Sequence, residues 1–323
     1  MTELPGRPVR IGARRSPLAV AQAEWVADRL RAAGHAAELV GIESHGDRDR
    51  RKLTEIGGTG VFAVAVRDAV LDGTVDLAVH SLKDLPVAPA PGLALVAVPP
   101  REDARDVIVG LPPEQWDDDT VIGTGSPRRE LQLAALAGER GVHPRFVPVR
   151  GNVDTRVDLV RRGEVQATVL AAAGLRRLGR LDADGTGVSG VPALVMPLAR
   201  LLPAAGQAAL AVECREDSPV RALAATLDDP VTRAAVTAER RFLATLEAGC
   251  LAPVGAFAEV TSETAGPRLT LTVVTGRKGH SGGVRLIVEQ SSSATDEADD
   301  LGDRTARRVL AQMAGWDDDR TDW

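Results

Sequence analysis

The chain of 323 residues has no tyrosine, and aromatic residues together make up only 2% of it. Its core must therefore be filled by alanine, valine and leucine rather than by rings. Cysteine is nearly absent too: Cys214 and Cys250 stand far apart in sequence, which excludes a disulfide framework and a cysteine zinc site. No run of about 18 apolar residues is free of charge, so no membrane span is expected. The opening MTELPGRPVRIGARRSP lacks the apolar stretch of a signal peptide, and reduced thiols in the cytoplasm are the expectation. There is no excess of positive charge. The net charge is -6, and nothing in the bulk balance points to nucleic acid. GxxxxGK[ST] is missing, and no GxGxxG follows the first strand. The glycine-rich pieces GGTG (57–60) and GTGS (123–126) are then weak as phosphate loops, and nucleotide chemistry has little support. There is no internal repeat or low-complexity segment.

What is present fits a soluble globular protein with room for two or three cores: 44% hydrophobic and 26% charged residues. In the first third, short apolar runs alternate with helical patterns. Strands are expected at Val9–Gly12, Glu38–Ile42, Val75–His80 and Leu93–Val98. Ser16 and Pro17 open a helix as N-cap and first helical residue. Leu18, Trp25, Val26, Leu30 and Ala33 give it an apolar face, and Gly34 stops it. Another helix is expected over 61–72. This rhythm implies an α/β domain with a largely parallel sheet. A second α/β unit starts after PPREDARD (99–106), with strands at Ile108, Thr120–Gly123, Arg145–Val149 and Ala167–Leu170, and helices at 127–138 and 152–162. A Gly- and Pro-rich loop over 182–206 leads to a strand at Ala208–Glu213 that is expected to rejoin the first domain. A helix over 231–247, three strands near 254–260, 268–275 and 284–289, and a helix over 297–314 make a small α+β third domain. The expected domains are 8–101 plus about 207–226, 105–202 and 230–318. The tail WDDDRTDW reads as a frayed, solvated acidic end.

Arginines gather where the second domain's strands meet its helices. GTGSPRR puts Thr124, Gly125 and Ser126 at a strand end and Arg128 and Arg129 in a first helical turn; RGNVDTR places Arg150 and Arg156 similarly; AAAGLRRLG adds Arg177. Cations in a first turn oppose the helix dipole, and an anionic ligand explains that placement. The alternative is a set of surface arginines paired to acids. Three such turns on one edge of a sheet favour the ligand, and several guanidinium forks suit a ligand with several carboxylates. The first domain offers a similar edge, with Arg14 and Ser16 after one strand and Ser81, Lys83 and Asp84 after another. Lys83 and Asp84 read either as a local salt bridge or as a carboxylate held in a cleft to stabilise a cation or move a proton. His80 reads as a strand residue rather than a catalyst. Cys250, just past a glycine in AGCLAPVG, is either a small buried hydrophobe or an exposed nucleophile. Cys214, mid-strand in ALAVECR, reads as buried.

Taken together, RIGARRSPLAVAQ, VHSLKDLP, REDARDV, GTGSPRR, RGNVDTR, LAAAGLRRLG, LPAAGQAALAVECR and TAERRFLATLEAGCLAPVGA resemble, in order, the hydroxymethylbilane synthase (porphobilinogen deaminase) family. The resemblance runs over residues 9 to 260, and the pattern of the third domain fits it too. It implies two α/β domains with mixed sheets, like the lobes of a periplasmic binding protein, plus a small α+β C-terminal domain with a three-stranded sheet and helices. It further implies a transferase of tetrapyrrole biosynthesis that deaminates porphobilinogen and joins four molecules into hydroxymethylbilane. The primer is a covalent dipyrromethane cofactor, made from substrate and tied to a cysteine by a thioether. By position, Cys250 matches the anchor and Asp84 the catalytic carboxylate. Lys83, Ser81, Thr124, Ser126, Arg128, Arg129, Arg150 and Gly151 match cofactor-holding positions. Arg14, Ser16, Gln22, Arg156, Arg177 and Gln207 match substrate-holding ones. No metal is implied. The expected partner is porphobilinogen alone, with no nucleic acid or membrane, and the expected form is a cytoplasmic monomer.

The chain departs from the family pattern at Thr59, where a lysine is frequent, at Val64 and Ala65, at His45, and at Ala208 in GQA. The competing expectation is a non-enzymatic two-lobed binding protein for a polycarboxylate, with Cys250 inert.

Overall fold

The computed structural model describes residues 7–43, 61–247, 252–263, 266–279 and 283–316. Thr59, His45, the GGTG link at 57–60, Cys250 and the end of the acidic tail lie outside the described residues. The rest falls into two units, one running to Glu102 and resuming over Gly206–Arg233, the other formed by Asp103–Ala205 and the chain from Ala234 onward.

The first unit is a mixed sheet built from β1 (Val9–Arg14), β2 (Ala37–Ile42), β3 (Leu77–Ser81), β4 (Leu93–Ala97) and β11 (Leu210–Arg215), in the order β2-β1-β3-β11-β4. β1 pairs in parallel with β2 and β3. β11 enters between β3 and β4 and is antiparallel to both. The largely parallel sheet expected from the β-α-β rhythm is thus mixed. The strand that breaks the pattern arrives from more than a hundred residues downstream, where local periodicity carries no information about pairing. Side chains alternate along a strand, and the sheet uses both faces. Val9, Ile11, Leu77 and Val79 pack with Ala23, Val26, Ala27 and Leu30 of α1 (Pro17–Ala32). Ala78 packs with Val66, Ala69 and Val70 of α2 (Val61–Leu71).

Ser16 caps α1, its side chain accepting from the Ala19 N–H, and Pro17 takes the first helical position. Gly34 follows at φ 87°, a conformation that costs glycine little. The buried stripe of α1 matches the expected one only in part: Val26 and Leu30 are buried. Ala33 is exposed, Leu18 and Trp25 are only partly covered, and Ala23 and Ala27 seal the interface. Small residues let the helix lie close to its sheet, and the larger ones flank the contact.

The second unit holds two sheets. The six-stranded one runs β7 (Arg145–Val147), β6 (Val121–Gly123), β8 (Ala167–Ala171), β5 (Asp106–Gly110), β10 (Val191–Val195), β9 (Gly187–Val188). β6 is parallel to β7 and β8, whereas β5 and β10 are antiparallel to their neighbours. The hairpin β9–β10 stands where the Gly- and Pro-rich stretch reads as loop. Its strands are too short for a visible period, and the turn passes through Ser189 (φ 50°) and Gly190 (φ 82°). Helices α3 (Pro127–Gly138), α4 (Val153–Arg161) and α5 (Ala172–Arg177) follow β6, β7 and β8 in turn; α6 (Arg221–Ala225) belongs to the first unit. The other sheet is an antiparallel meander, β12 (Gly255–Glu263), β13 (Gly266–Lys278) and β14 (Val284–Ala294), longer at β13 and β14 than the sequence pattern suggests. It packs with α7 (Pro230–Thr245) and α8 (Ala298–Ala314) around Phe242, Leu269, Leu271, Val273 and Leu301.

As the composition requires, Trp116 and Phe242 are the only aromatic side chains buried among the described residues. Phe242 is the largest of those that are wholly covered. Replacing it by alanine should cost about 3–5 kcal/mol, read as a fall in the denaturant midpoint at unchanged slope. A loss under about 1 kcal/mol would mean that this core is loosely packed.

Candidate functional site

Parallel strands end on the same edge of a sheet, so β1 and β3 deliver the residues after them side by side. In the first unit Arg14, Ser16, Gln22, His80, Ser81 and Asp84 line one pocket of about 80 Å³. Gln22, buried on α1, donates from Nε2 to Ser81 Oγ at 2.8 Å, and the Ser81 hydroxyl lies 3.2 Å from Gln22 Oε1. That cross-link ties the start of α1 to the end of β3. Ser81 leads into a short helical turn, Leu82–Asp84, in which Leu82 is buried and Asp84 is not. Lys83 points away from Asp84 and donates from Nζ to Gln207 Oε1 at 3.2 Å. Gln207 is fully buried, and its carbonyl accepts from Arg101 Nε at 2.8 Å. Asp84 itself is exposed and makes no ion pair among the described residues. The local Lys83–Asp84 bridge is therefore not formed, and the carboxylate stands open to the pocket.

In the second unit Thr124 and Ser126 shape the start of α3. Ser126 accepts from the Arg129 N–H, and Thr124 Oγ1 accepts from the Ser126 N–H at 3.2 Å. Arg128 and Arg129 are buried, not on the surface, and both close on one carboxylate. Arg128 Nη2 donates to Asp106 Oδ2 at 2.7 Å, and Arg129 Nη2 to Asp106 Oδ1 at 2.8 Å. Further donors go to backbone carbonyls, Arg128 Nη1 to Leu202 and Arg129 Nη1 to Val169. Burial pushes Asp106 toward the neutral acid, but the charges of Arg128 and Arg129 outweigh it and hold the carboxyl well below the usual range.

Beyond β7, Arg150 is exposed and Gly151 sits at φ 104°. An added Cβ there would lie 2.8 Å from Thr155, so only glycine fits. Asn152 then caps α4, accepting from the Thr155 N–H at 2.9 Å. Arg156 on α4 is half-buried. Its Nε donates to the Gly151 carbonyl at 3.0 Å, and it has no carboxylate partner among the described residues. Burial, and then repulsion from Arg129, pulls its guanidinium down to about 10. Arg128 and Arg129 thus share one acid, and Arg156 stands near them without a carboxylate of its own among the described residues. Arg177 closes α5, half-buried, on a separate element.

Three charged groups escape a reading of the sequence alone: Asp106 inside REDARDV, Glu213 beside Cys214, and Arg67 within a helical pattern. The two acids do carry a signal. Each stands in a strand among Val, Ala and Ile, and a charge in such a run needs a buried partner. Cys214 is buried as expected, and burial pushes its thiol up.

Two family models match: porphobilinogen deaminase, dipyromethane cofactor binding domain, over residues 9–222, and porphobilinogen deaminase, C-terminal domain, over 233–311. Among curated proteins, porphobilinogen deaminase 1 of Streptomyces avermitilis is 47% identical over 315 residues, covering 94% of this chain and 94% of its own. Porphobilinogen deaminase of Thermobifida fusca is 49% identical over 318 residues, covering 95% and 94%. That of Mycobacterium marinum is 50% identical over 256 residues, covering 78% and 77%. Of solved structures, a ligand-binding component of an ABC-type import system from Staphylococcus aureus aligns at 11% identity over 73% of each chain with a TM-score of 0.40, too faint a likeness to argue from.

The Asp106 cluster has a measurable consequence. Asp106→Asn strands two buried guanidiniums and should cost about 3–5 kcal/mol at neutral pH. Because the folded carboxyl is depressed, its stabilisation is present above the ordinary value of 3.8 and is lost as pH falls below it. Denaturant titrations at about pH 7, 5 and 3 should show the gap between wild type and variant narrowing toward acid. A constant gap would mean that the carboxylate's charge is not what holds the arginines.

Proposed function

The chain belongs to the porphobilinogen deaminase family, and on that premise we propose which of its residues carry the family's reaction. It is a transferase of tetrapyrrole biosynthesis that joins four porphobilinogen molecules head to tail into hydroxymethylbilane, with a dipyrromethane cofactor. In each round the aminomethyl C–N bond breaks, its electron pair leaves with ammonia, and the ring is left as a cationic azafulvene. A pyrrole carbon then forms the new C–C bond and gives up its proton.

The observation that carries the assignment of residues is the unmatched positive charge of the second unit. Arg156 is half-buried with no carboxylate among the described residues, beside two arginines that share Asp106. Each pyrrole ring brings two carboxylates, so the residues present fit the cofactor. Arg128 and Arg129 use most of their donors within the chain and act chiefly through their charge, whereas Arg156 has a fork to offer. Thr124, Ser126, Arg150, Gly151, Ser81 and Lys83 complete the cofactor-holding set, with Cys250 as the thioether anchor. When bound, the dipyrromethane supplies the free pyrrole end on which the chain is built. Arg14, Ser16, Gln22, Arg156, Arg177 and Gln207 serve the substrate carboxylates and orient the ring. Asp84, exposed at its pocket and free of ion pairs among the described residues, places a negative charge against the cationic ring and moves protons at its nitrogen.

We also assign three domains, 8–101 plus about 207–226, 105–202 and 230–318, and a cytoplasmic monomer; a single species of monomer mass in native mass spectrometry supports the last. A polycarboxylate-binding protein without catalysis is not favoured, because the relatives that span nearly the whole chain are named as deaminases.

The test is direct. Purified protein should exceed the chain mass by about two deaminated pyrrole rings, and Cys250→Ala should abolish the excess while Cys214→Ala does not. Asp84→Asn should keep the adduct and lose turnover about a hundredfold or more. Arg156→Leu should leave apo-protein or stalled adducts. Normal ammonia release and bilane formation in Asp84→Asn and Arg156→Leu would remove both residues from the machinery.

A further inference from the structure

The first unit contains a buried charge cluster that none of these roles uses. Alternation along β3 sends Leu77 and Val79 to the α1 face, and Ala78 and His80 to the face under α2. On the neighbouring β11, Glu213 lies opposite Ala78 and Ala211 opposite His80. Glu213 is therefore one diagonal step from His80 on the same face. Arg67 of α2 closes on the carboxylate as a fork, Nε to Oε2 at 2.8 Å and Nη2 to Oε1 at 2.7 Å. His80 Nε2 stands 3.4 Å from Glu213 Oε2. That is a charge contact without a formed hydrogen bond, and Nε2 is one of two buried side-chain polar atoms among the described residues that lack one.

Leaving a buried nitrogen unbonded is destabilising, and such groups call for an explanation beyond packing. The carboxylate beside it supplies half of one. Burial pushes Glu213 up, but His80 and Arg67 outweigh it and hold its carboxyl at about 2, so it is ionised at neutral pH. An ionised carboxylate favours an N–H on the imidazole nitrogen that faces it. The other half is position: His80 lines the pocket that Asp84 lines. His80 thus borders both Glu213 and the pocket. The charged groups around it are Arg14 on β1, Asp84 after β3, Arg67 on α2 and Glu213 on β11; α1 contributes the neutral Gln22.

We propose that His80 is a second proton-transfer residue of this pocket, with Glu213 as its positioning residue and Arg67 as the anchor of Glu213. The proposal rests on the family's reaction taking place here. His80 takes the proton released from the ring carbon when the new C–C bond forms, holds it as imidazolium against Glu213, and passes it to the ammonia already freed in the same round, which then leaves as ammonium. Each round then balances: the substrate ammonium loses ammonia, the ring carbon loses one proton, and ammonium is the product. Asp84 keeps its role as the counter-charge to the cationic ring, a role it could not hold while storing that proton.

The experiment uses the cofactor-loaded enzyme, its loading verified by intact mass, with porphobilinogen as substrate. His80→Gln, which can still donate toward Glu213, should lower kcat about tenfold to a hundredfold with KM within about threefold. It should also erase one limb of the kcat–pH profile. Glu213→Gln should lower kcat in the same direction with KM within about threefold, because the carboxylate that orients the ring is gone. An activity loss in His80→Gln that merely follows the folded fraction, with the wild-type pH profile retained, overturns the proposal. Should His80→Gln not fold, Glu213→Gln decides alone, and a wild-type kcat in that variant overturns the proposal. A loaded wild type that forms no bilane fails differently: it defeats the reaction itself, whereas an active wild type with unchanged variant profiles defeats only the role of His80.

Discussion

One carboxylate holds two buried guanidiniums at the start of α3. Asp106 has no exposed side-chain surface, and Arg128 and Arg129 reach it from consecutive positions of the first helical turn. The arrangement runs against the helix dipole, which favours anions at that end. Removing the acid would leave two uncompensated buried charges, so the sheet, the turn at Thr124–Ser126 and the entry of α3 all depend on this contact. Even with Asp106 in place the balance is not closed, because Arg156 adds a third cation that Arg129 repels. In the function we propose, a negative ligand completes that excess. Pyrrole side chains bearing acetate and propionate are ligands of that kind.

The first unit solves a different problem with the same materials. In the function we propose, it presents a carboxylate to a cation without neutralising it beforehand. Lys83, the nearest base in sequence, is drawn away by the buried Gln207, and Asp84 is left open at the pocket. The Gln22–Ser81 cross-link fixes the edges that frame the pocket. Behind it, the Arg67–Glu213 fork joins α2 to the inserted strand β11 across 146 residues of sequence. The strand that makes this sheet mixed therefore also brings in the acid that faces His80.

Much of this is legible in the residues themselves, because local chemistry is strong where the chain turns. Ser16-Pro17 and Ser126-Pro127 spell helix starts, and both serines cap. The motif order is enough to place Asp84, Arg156 and their neighbours in a family. What local pattern cannot carry is partnership across long separations. Asp106 and Glu213 look like interruptions in apolar strands until Arg128, Arg129 and Arg67 are brought to them. Arg128 and Arg129 look like surface charges until burial is known. His80 reads as an ordinary strand residue, and only strand alternation combined with the register of β11 turns it toward Glu213. The hairpin β9–β10 is too short to show a period, and the interface of α1 depends on small alanines that a search for large apolar residues passes over.

By itself, then, the sequence determined the element order, the caps, the aromatic-poor core and the family, since these follow from residue type and spacing along the chain. The tertiary structure alone decided which charges are buried, which acid each arginine holds and which carboxylate stays open. Those outcomes depend on desolvation and on contacts between residues tens to hundreds of positions apart, and no local rule sums over them.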